Sequence, residues 1–311
     1  MELNKKVNRY YSLNQYFKEN YNEKIYKVSI DAGFSCPNRD GTISTGGCIF
    51  CSESGSGEFA GNRIKSITEQ INEQLELISS KFPHGKVIAY FQNFTNTYGD
   101  IDYLNKIYNE AIAHPRVLGI SIATRPDCIS DEVLALLDNL NKKTVLWVEL
   151  GLQTSNDSVA KTINRGYETK VYIDIMKKLS ALNIKIITHI IIGLPFSSFK
   201  DEMDTASLAV KCGTWGVKLH LLYLLKNSKL ELLYSSKSFD LLELDDYVER
   251  VISILEILPK DIIIHRLTGD GEKNSLIGPL WSLNKRNVLN SIVKKMTAKN
   301  IFQGDKVRIS H

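Results

Sequence analysis

Apolar positions along this chain switch repeatedly between two rhythms. Short β-branched runs such as KVIAYF, GISIA, TVLWVEL and IKIITHIII are separated by longer stretches whose apolar residues recur every three to four positions. The pattern predicts helices over residues 12–20, 64–80, 103–114, 131–139, 156–163, 168–182 and 200–212. It predicts strands over 24–30, 86–91, 119–123, 144–150, 184–192 and 216–223. Strands separated by crossover helices pair in parallel, and right-handed crossovers curl successive units the same way. About six βα units fit before residue 225, fewer than the eight of a closed barrel. The expected fold is therefore α/β, an open, partial (β/α)6 barrel. Beyond it, a helix over 244–258, a strand over 261–266 and a helix over 284–299 predict a C-terminal α/β extension. The expected division is 1–225 for the barrel, with its N-terminal helix and a cysteine loop, and 226–311 for the extension packed on it, narrowing its open side.

Composition changes this picture little. The 311 residues are 43% apolar and 24% charged, with a net charge of +4, which permits an anionic partner without requiring one. Lys285, Arg286, Lys294, Lys295, Lys299, Lys306 and Arg308 gather near the C-terminus; they read first as a solvated helix face and second as a nucleic-acid patch. No stretch approaches the roughly twenty apolar residues of a membrane span, and the first residues lack a signal-peptide core. A cytoplasmic location without membrane contact is expected.

The chemistry concentrates in CPNRDGTISTGGCIFC, where Cys36, Cys48 and Cys51 are spaced C-x11-C-x2-C among glycines. Three thiolates can hold three irons of a four-iron cluster and leave the fourth open. The same thiols suit a zinc site completed by histidine, although the nearest, His84, is far along the chain. Two of them suit a redox dithiol. Cys128 and Cys212 read as packed thiols. Polar groups also follow the predicted strands: Gln92 to Tyr98, Thr124 to Asp127, Glu149 to Thr154 with Arg165 beyond, and the turn Gly193-Leu194-Pro195. His220 lies on a strand whose alternation can turn it into the barrel. The polar run 265–270 is a candidate lining, and Trp281 with Lys285 suits either nucleotide stacking or anchoring of the last helix.

With these motifs in order, DAGFSCPNRDGTISTGGCIFC, TRPDC, VELGLQT, NRG, HRLTGD and PLWSLNK, the chain resembles the radical S-adenosylmethionine (SAM) superfamily. More narrowly it resembles the bacterial YhcC-like family, and more distantly the radical SAM domain of the elongator acetyltransferase subunit. The resemblance implies a [4Fe–4S] cluster on Cys36, Cys48 and Cys51, with the Phe50 backbone beside the adenine. It implies SAM contacts from Gln153 and Arg165, as in oxygen-independent coproporphyrinogen dehydrogenases, from Thr95, from Gly193 in the purine-pairing turn, and from His189 where those enzymes carry an aspartate. Glu149 agrees with a glutamate of the elongator domain and, with His220, is the catalytic candidate. The implied chemistry is reductive cleavage of SAM to a 5′-deoxyadenosyl radical, fed by a flavodoxin- or ferredoxin-type electron donor. The implied substrate is tRNA, with the carboxymethylaminomethyl side chain of wobble uridine converted to aminomethyl. A small molecule or peptide substrate, or a metal-stabilised RNA-binding module without catalysis, are the other readings.

Overall fold

Polar caps decide where the helices begin, and apolar faces decide what they cover. The computed structural model describes residues 8–52, 55, 60–269 and 271–307; Asp270 and Arg308 lie outside the described residues. The first half runs α1 (Leu13–Tyr21), β1 (Tyr26–Ile30), α2 (Ile67–Ile78), β2 (Val87–Phe91), α3 (Ile101–Ala113), β3 (Val117–Thr124), α4 (Asp131–Asn141) and β4 (Val145–Gln153). The second runs α5 (Asp157–Thr162), α6 (Thr169–Ala181), β5 (Lys185–Ile192), α7 (Phe199–Lys211), β6 (Gly216–Leu221), β7 (Leu224–Leu225), α8 (Lys229–Ser235), α9 (Leu244–Ile257), β8 (Ile263–Arg266), β9 (Leu276–Gly278) and α10 (Lys285–Ala298). Helix α2 is shorter than its apolar period predicts because Ser66 and Glu69 form a reciprocal capping box that fixes its start. The same device starts α7 at Ser198 and Asp201.

Seven parallel strands form one sheet in the order β1-β2-β3-β4-β5-β6-β8. The seventh, β8, comes from beyond residue 225 and pairs with β6. The sheet therefore gains a strand from the segment predicted to pack on the barrel. After β6 the chain leaves the sheet in β7, which pairs antiparallel with β9 from beyond β8, elements of two and three residues that no periodicity reveals. The Ile264 N–H donates to the Tyr11 carbonyl at 2.8 Å, so the chain before α1 covers part of the free edge of β8.

Strand alternation sorts the side chains into an outer and an inner set. The outward set of β1 to β5, with Val28, Phe91, Ile122 and Val148, packs under α2, α3, α4 and α6. That of β5, β6 and β8, with Ile190, Leu219 and Ile264, packs under α7, α9 and α10. The inward residues nearest the strand starts are apolar, and α1 seals them from below: Tyr16 and Phe17 pack on Ile88, Trp147, Ile187 and Ile263, with Phe17 stacked on Trp147 at 5.7 Å. One end of the barrel is thereby filled, and the carboxyl ends of the strands are left for function.

Phe17 is 2% exposed, so Phe17→Ala should lose about 3–5 kcal/mol of unfolding free energy in urea titration. A loss below about 1 kcal/mol would show that α1 does not seal the barrel.

Candidate functional site

The cysteine loop leaves β1 and folds back over the carboxyl rim, pinned from inside the barrel. Asn38, fully buried, donates through Nδ2 to the Asn164 carbonyl at 2.6 Å and reaches Cys48 Sγ at 3.5 Å. Asn164 returns a bond from its own Nδ2 to the Gly47 carbonyl at 2.8 Å, and the Ile49 N–H donates to Ile163 O at 3.1 Å. Gly46 and Gly47 both have positive φ, 78° and 74°, which glycine alone adopts without strain. Held this way, Cys36, Cys48 and Cys51 are half-buried free thiols lining one chamber. Burial, then the neighbouring Cys51 thiol, pushes the Cys48 thiol up to about 12, so a positive centre is needed to keep it a thiolate. Among the described residues no three His, Cys, Asp or Glu side chains meet closely enough to ligate one metal ion. A cube carries its thiolates at separate corners, whereas a zinc ion gathers them at one point. The donor set fits the cube.

The chamber encloses about 310 Å³, the size of a small-molecule site. Phe50, Thr95, Gln153, Glu149, His189 and His220 all line it. Thr95 Oγ1 is buried without a hydrogen-bond partner, an orphan that a ligand atom would satisfy. Gln153 ends β4 at φ 59° with its amide 3.2 Å from the Tyr167 hydroxyl, whose proton goes to the Gly151 carbonyl.

Two predicted contacts stand differently: Arg165 lines the chamber with its donors engaged by the chain, and Gly193 does not line it. Arg165 is 1% exposed and spends its donors on the chain: Nη1 to the Leu152 and Thr154 carbonyls at 2.8 and 2.6 Å, Nε to Tyr167 O at 2.9 Å, and Nη2 to Asp157, Tyr167 O and Thr169. It braces the end of β4 against α5 and α6 and has no N–H left for a ligand carboxylate. The guanidinium nearer the thiols is Arg125, held by Asp127 at 2.7 and 3.0 Å and by the Arg165 carbonyl at 2.9 Å. Gly193 does have the positive φ of a tight turn, 86°, but its N–H is taken by Glu202 Oε1 at 2.8 Å, and it is not among the chamber-lining residues.

Deeper in the barrel sits a carboxylate with no exposed surface. Glu149 Oε1 accepts from Lys27 Nζ at 2.6 Å and from the Ser121 hydroxyl; Oε2 accepts from His189 Nε2 at 2.6 Å and pairs with Lys218. Burial opposes the charge, but Lys218 and Lys27 outweigh it and hold Glu149 well below the usual carboxylate range. The same burial lowers His189 to about 4 and Lys218 to about 7. His220, its ring 5.3 Å from that of His189, is also pushed down by burial and then by Arg266. These histidines are neutral at physiological pH, and His189 carries its proton on Nε2, because Glu149 only accepts. Glu149 has two partners on each oxygen, so it positions its neighbours and cannot take up a substrate proton. Sequence reasoning passed over Lys27 and Lys218; their signal was a lysine at the inward parity shared with Ser29 in YKVSI and His220 in GVKLHL.

A model of the radical SAM superfamily matches residues 40–209, and one of the radical SAM C-terminal domain matches 214–298. The chain belongs to the radical SAM superfamily. Its cofactors are a [4Fe–4S] cluster and SAM. This radical SAM chain is 44% identical to YtqA of Bacillus subtilis (95% of this chain, 92% of that protein) and 33% identical to YhcC of Escherichia coli (85% of each). Over 161 residues, 49% of this chain and 34% of the relative, it is 30% identical to a tRNA-2-methylthio-N(6)-dimethylallyladenosine synthase of Clostridium perfringens. Its fold matches that of the Methanocaldococcus infernus Elp3 structure at a TM-score of 0.68 and 16% identity (90% of this chain, 64% of that one).

Of the remaining candidates, Gln92, Phe94, Thr124, Arg125 and Arg266 line the chamber, and the following fall outside it. Cys128 is not among the lining residues, and burial raises its thiol to about 12; Cys212 packs against the first core. His265 lies under the floor, 5.4 Å from the rings of both Trp147 and Trp215. Trp281 donates to Leu242 O at 3.0 Å and packs on Tyr247, which anchors the C-terminal segment. In the basic C-terminal group, Lys295 and Lys299 pair with Glu249 and Lys306 with Glu256. Much of that face is internally neutralised, as a solvated helix face would be. No helix of the described residues is long and apolar enough to cross a membrane.

Two predictions follow from these contacts. Arg165→Ala strands three carbonyls, so it should cost about 3 kcal/mol or more in chemical unfolding, and Arg165→Lys should recover little; an Arg165→Ala protein of unchanged stability would return the arginine to ligand binding. For acid stability, folded His189 stays neutral down to about 4, while an unfolded imidazole protonates near 6.5. The unfolded chain therefore binds more protons between those values, and stability falls as pH drops from about 6.5 to about 4, by on the order of 3 kcal/mol for His189 alone. Urea midpoints at pH 7, 6 and 5 measure this, and a flat profile would contradict a neutral buried His189.

Proposed function

We propose that this radical SAM enzyme acts on tRNA, converting the carboxymethylaminomethyl side chain of a wobble uridine to aminomethyl. The observation that carries the reading is the convergence of Cys36, Cys48 and Cys51 with the unpartnered Thr95 hydroxyl on one chamber at the carboxyl rim. In this reading the three thiols seat the cluster, Thr95 and Gln153 hydrogen-bond SAM, and Phe50 packs by its adenine. Bound together, cluster and SAM supply a 5′-deoxyadenosyl radical able to take hydrogen from unactivated carbon. The chain's own work is to bind, orient and exclude water. Arg165 and Glu149 fix the walls and floor, and His189 and His220 face the substrate as neutral polar groups. An external one-electron donor of flavodoxin or ferredoxin type completes the system.

The tRNA assignment draws on the likeness to the tRNA-methylthiolating synthase and to the Elongator complex protein 3 of Schizosaccharomyces pombe, 24% identical over 162 residues. Chamber size constrains how such a substrate enters. With the cluster and SAM seated in the same chamber a helical stem has no room, and a loop nucleotide unstacks at little cost.

The test is an anaerobic incubation of cluster-loaded protein with SAM, dithionite and tRNA carrying 5-carboxymethylaminomethyluridine, read by mass spectrometry of nucleosides. 5′-Deoxyadenosine and 5-aminomethyluridine should both appear, and Cys36→Ala, Cys48→Ala or Cys51→Ala should lose iron and abolish both products. SAM cleavage with an unchanged uridine would remove this substrate while leaving the enzyme class intact.

A further inference from the structure

One buried side chain serves two purposes at the cysteine loop. Asn38 has no exposed surface, and its amide nitrogen carries two N–H donors. Two acceptors meet that nitrogen, the Asn164 carbonyl at 2.6 Å and Cys48 Sγ at 3.5 Å. The carbonyl fixes which end of the amide is nitrogen, because two oxygens would repel at that distance. At the other end Oδ1 is buried with no hydrogen-bond partner, a cost that an apolar side chain of the same shape would not carry. What an amide adds here is therefore its pair of N–H groups, and only one of them holds the loop.

The neighbouring chain keeps this amide against the thiol. Gly166 has φ 83°, and a Cβ built there would stand 2.7 Å from Asn38 Oδ1. Both the positive φ and the close approach call for glycine. Asn164, two residues earlier, receives Asn38 on its carbonyl and grips the Gly47 carbonyl with its own side chain at 2.8 Å. The run from Asn164 to Gly166 thus does more than tie the loop to the barrel: it seats one N–H on one sulfur.

An N–H aimed at a thiolate stabilises negative charge on the sulfur, and such charge-assisted bonds are among the strong ones. Hydrogen bonds to the sulfurs are one of the factors that set an iron–sulfur potential. A reduced cluster carries one electron more than an oxidised one, so a fixed donor favours the reduced form. We propose that Asn38, through its Nδ2–H contact with Cys48 Sγ, raises the reduction potential of the cluster and so eases electron entry from the external donor. The inference rests on the reading above that Cys36, Cys48 and Cys51 seat the cluster. One electron passes from donor to cluster; the donor is oxidised, the cluster is reduced, and Asn38 gives up no proton. Asn38 acts through Cys48 and is a positioning residue.

The test is the midpoint potential of the loaded cluster, measured by EPR-monitored redox titration. Asn38→Ala should shift the reduction equilibrium about tenfold toward the oxidised form, ~59 mV more negative for a one-electron couple. Asn164→Gly suits the φ of 54° at that position; it removes the grip on Gly47 and keeps the carbonyl that Asn38 meets. Its equilibrium should stay within about twofold of wild type. A loosened loop would move both variants alike, so equal shifts would overturn the proposal, as would an Asn38→Ala potential that matches wild type. Should Asn38→Ala fail to fold or to hold iron, wild type labelled with nitrogen-15 at its asparagine side-chain amides decides the matter. The reduced cluster should then show hyperfine coupling to an amide nitrogen, and the coupling should persist in Asn164→Gly; its absence from wild type would overturn the contact. Wild type that binds no four-iron cluster would instead remove the reading of the three cysteines, and this inference with it.

Discussion

A carboxylate with no access to water survives only among cations and donors, and Glu149 draws them from four different strands. Lys27 of β1, Ser121 of β3, His189 of β5 and Lys218 of β6 converge on its two oxygens. Because the partners stand on strands that are not all neighbours, the bonds cross the interior of the curled sheet and do not run along its surface. They set how far the open barrel can spread, since widening it would strand a buried charge at a cost of several kcal/mol. The rest of the interior arranges itself around this layer. Below it the residues are apolar and sealed by α1. Above it they are polar or thiol and open to ligand.

This layering explains why one loop can carry a cofactor site without a rigid element of its own. Residues 36–51 contain turns and no helix or strand, yet Asn38 and Asn164 exchange bonds between the loop and the end of α5. Arg165, the next residue, ties that same end to the last carbonyls of β4. The thiols are therefore referenced to the sheet through a short chain of buried amides and one guanidinium. Loops positioned by such a scaffold hold their geometry while leaving backbone free to wrap a bulky group.

Much of this was legible in the sequence, for particular reasons. The alternation of β-branched runs with amphipathic stretches gave β1 to β6 because each helix is long enough to show its period, and the cysteine spacing with its glycines marked the loop. What escaped were features with no local period. The ribbon of β7 and β9 is too short to alternate, and the membership of β8 in the main sheet is a tertiary fact. Arg165 was read as a SAM contact from its match to a family arginine; it does line the chamber, but that its donors are spent on carbonyls, Asp157 and Thr169 is a tertiary fact. Lys27 and Lys218 were overlooked because a lone lysine in a strand ordinarily snorkels outward. Only strand parity, which turns both inward with Glu149, distinguishes them.

Parity also bears on which side chains can do chemistry. A radical site needs polar groups that orient substrate without offering easily displaced protons, and a floor of neutral imidazoles and an acceptor-saturated carboxylate meets that need. By filling every acceptor direction of Glu149, the fold leaves that carboxylate no lone pair for the cavity. Charge placement of this kind requires residues from β1, β4, β5 and β6 at one depth, which a parallel sheet with uniform strand direction supplies and a two-residue ribbon does not.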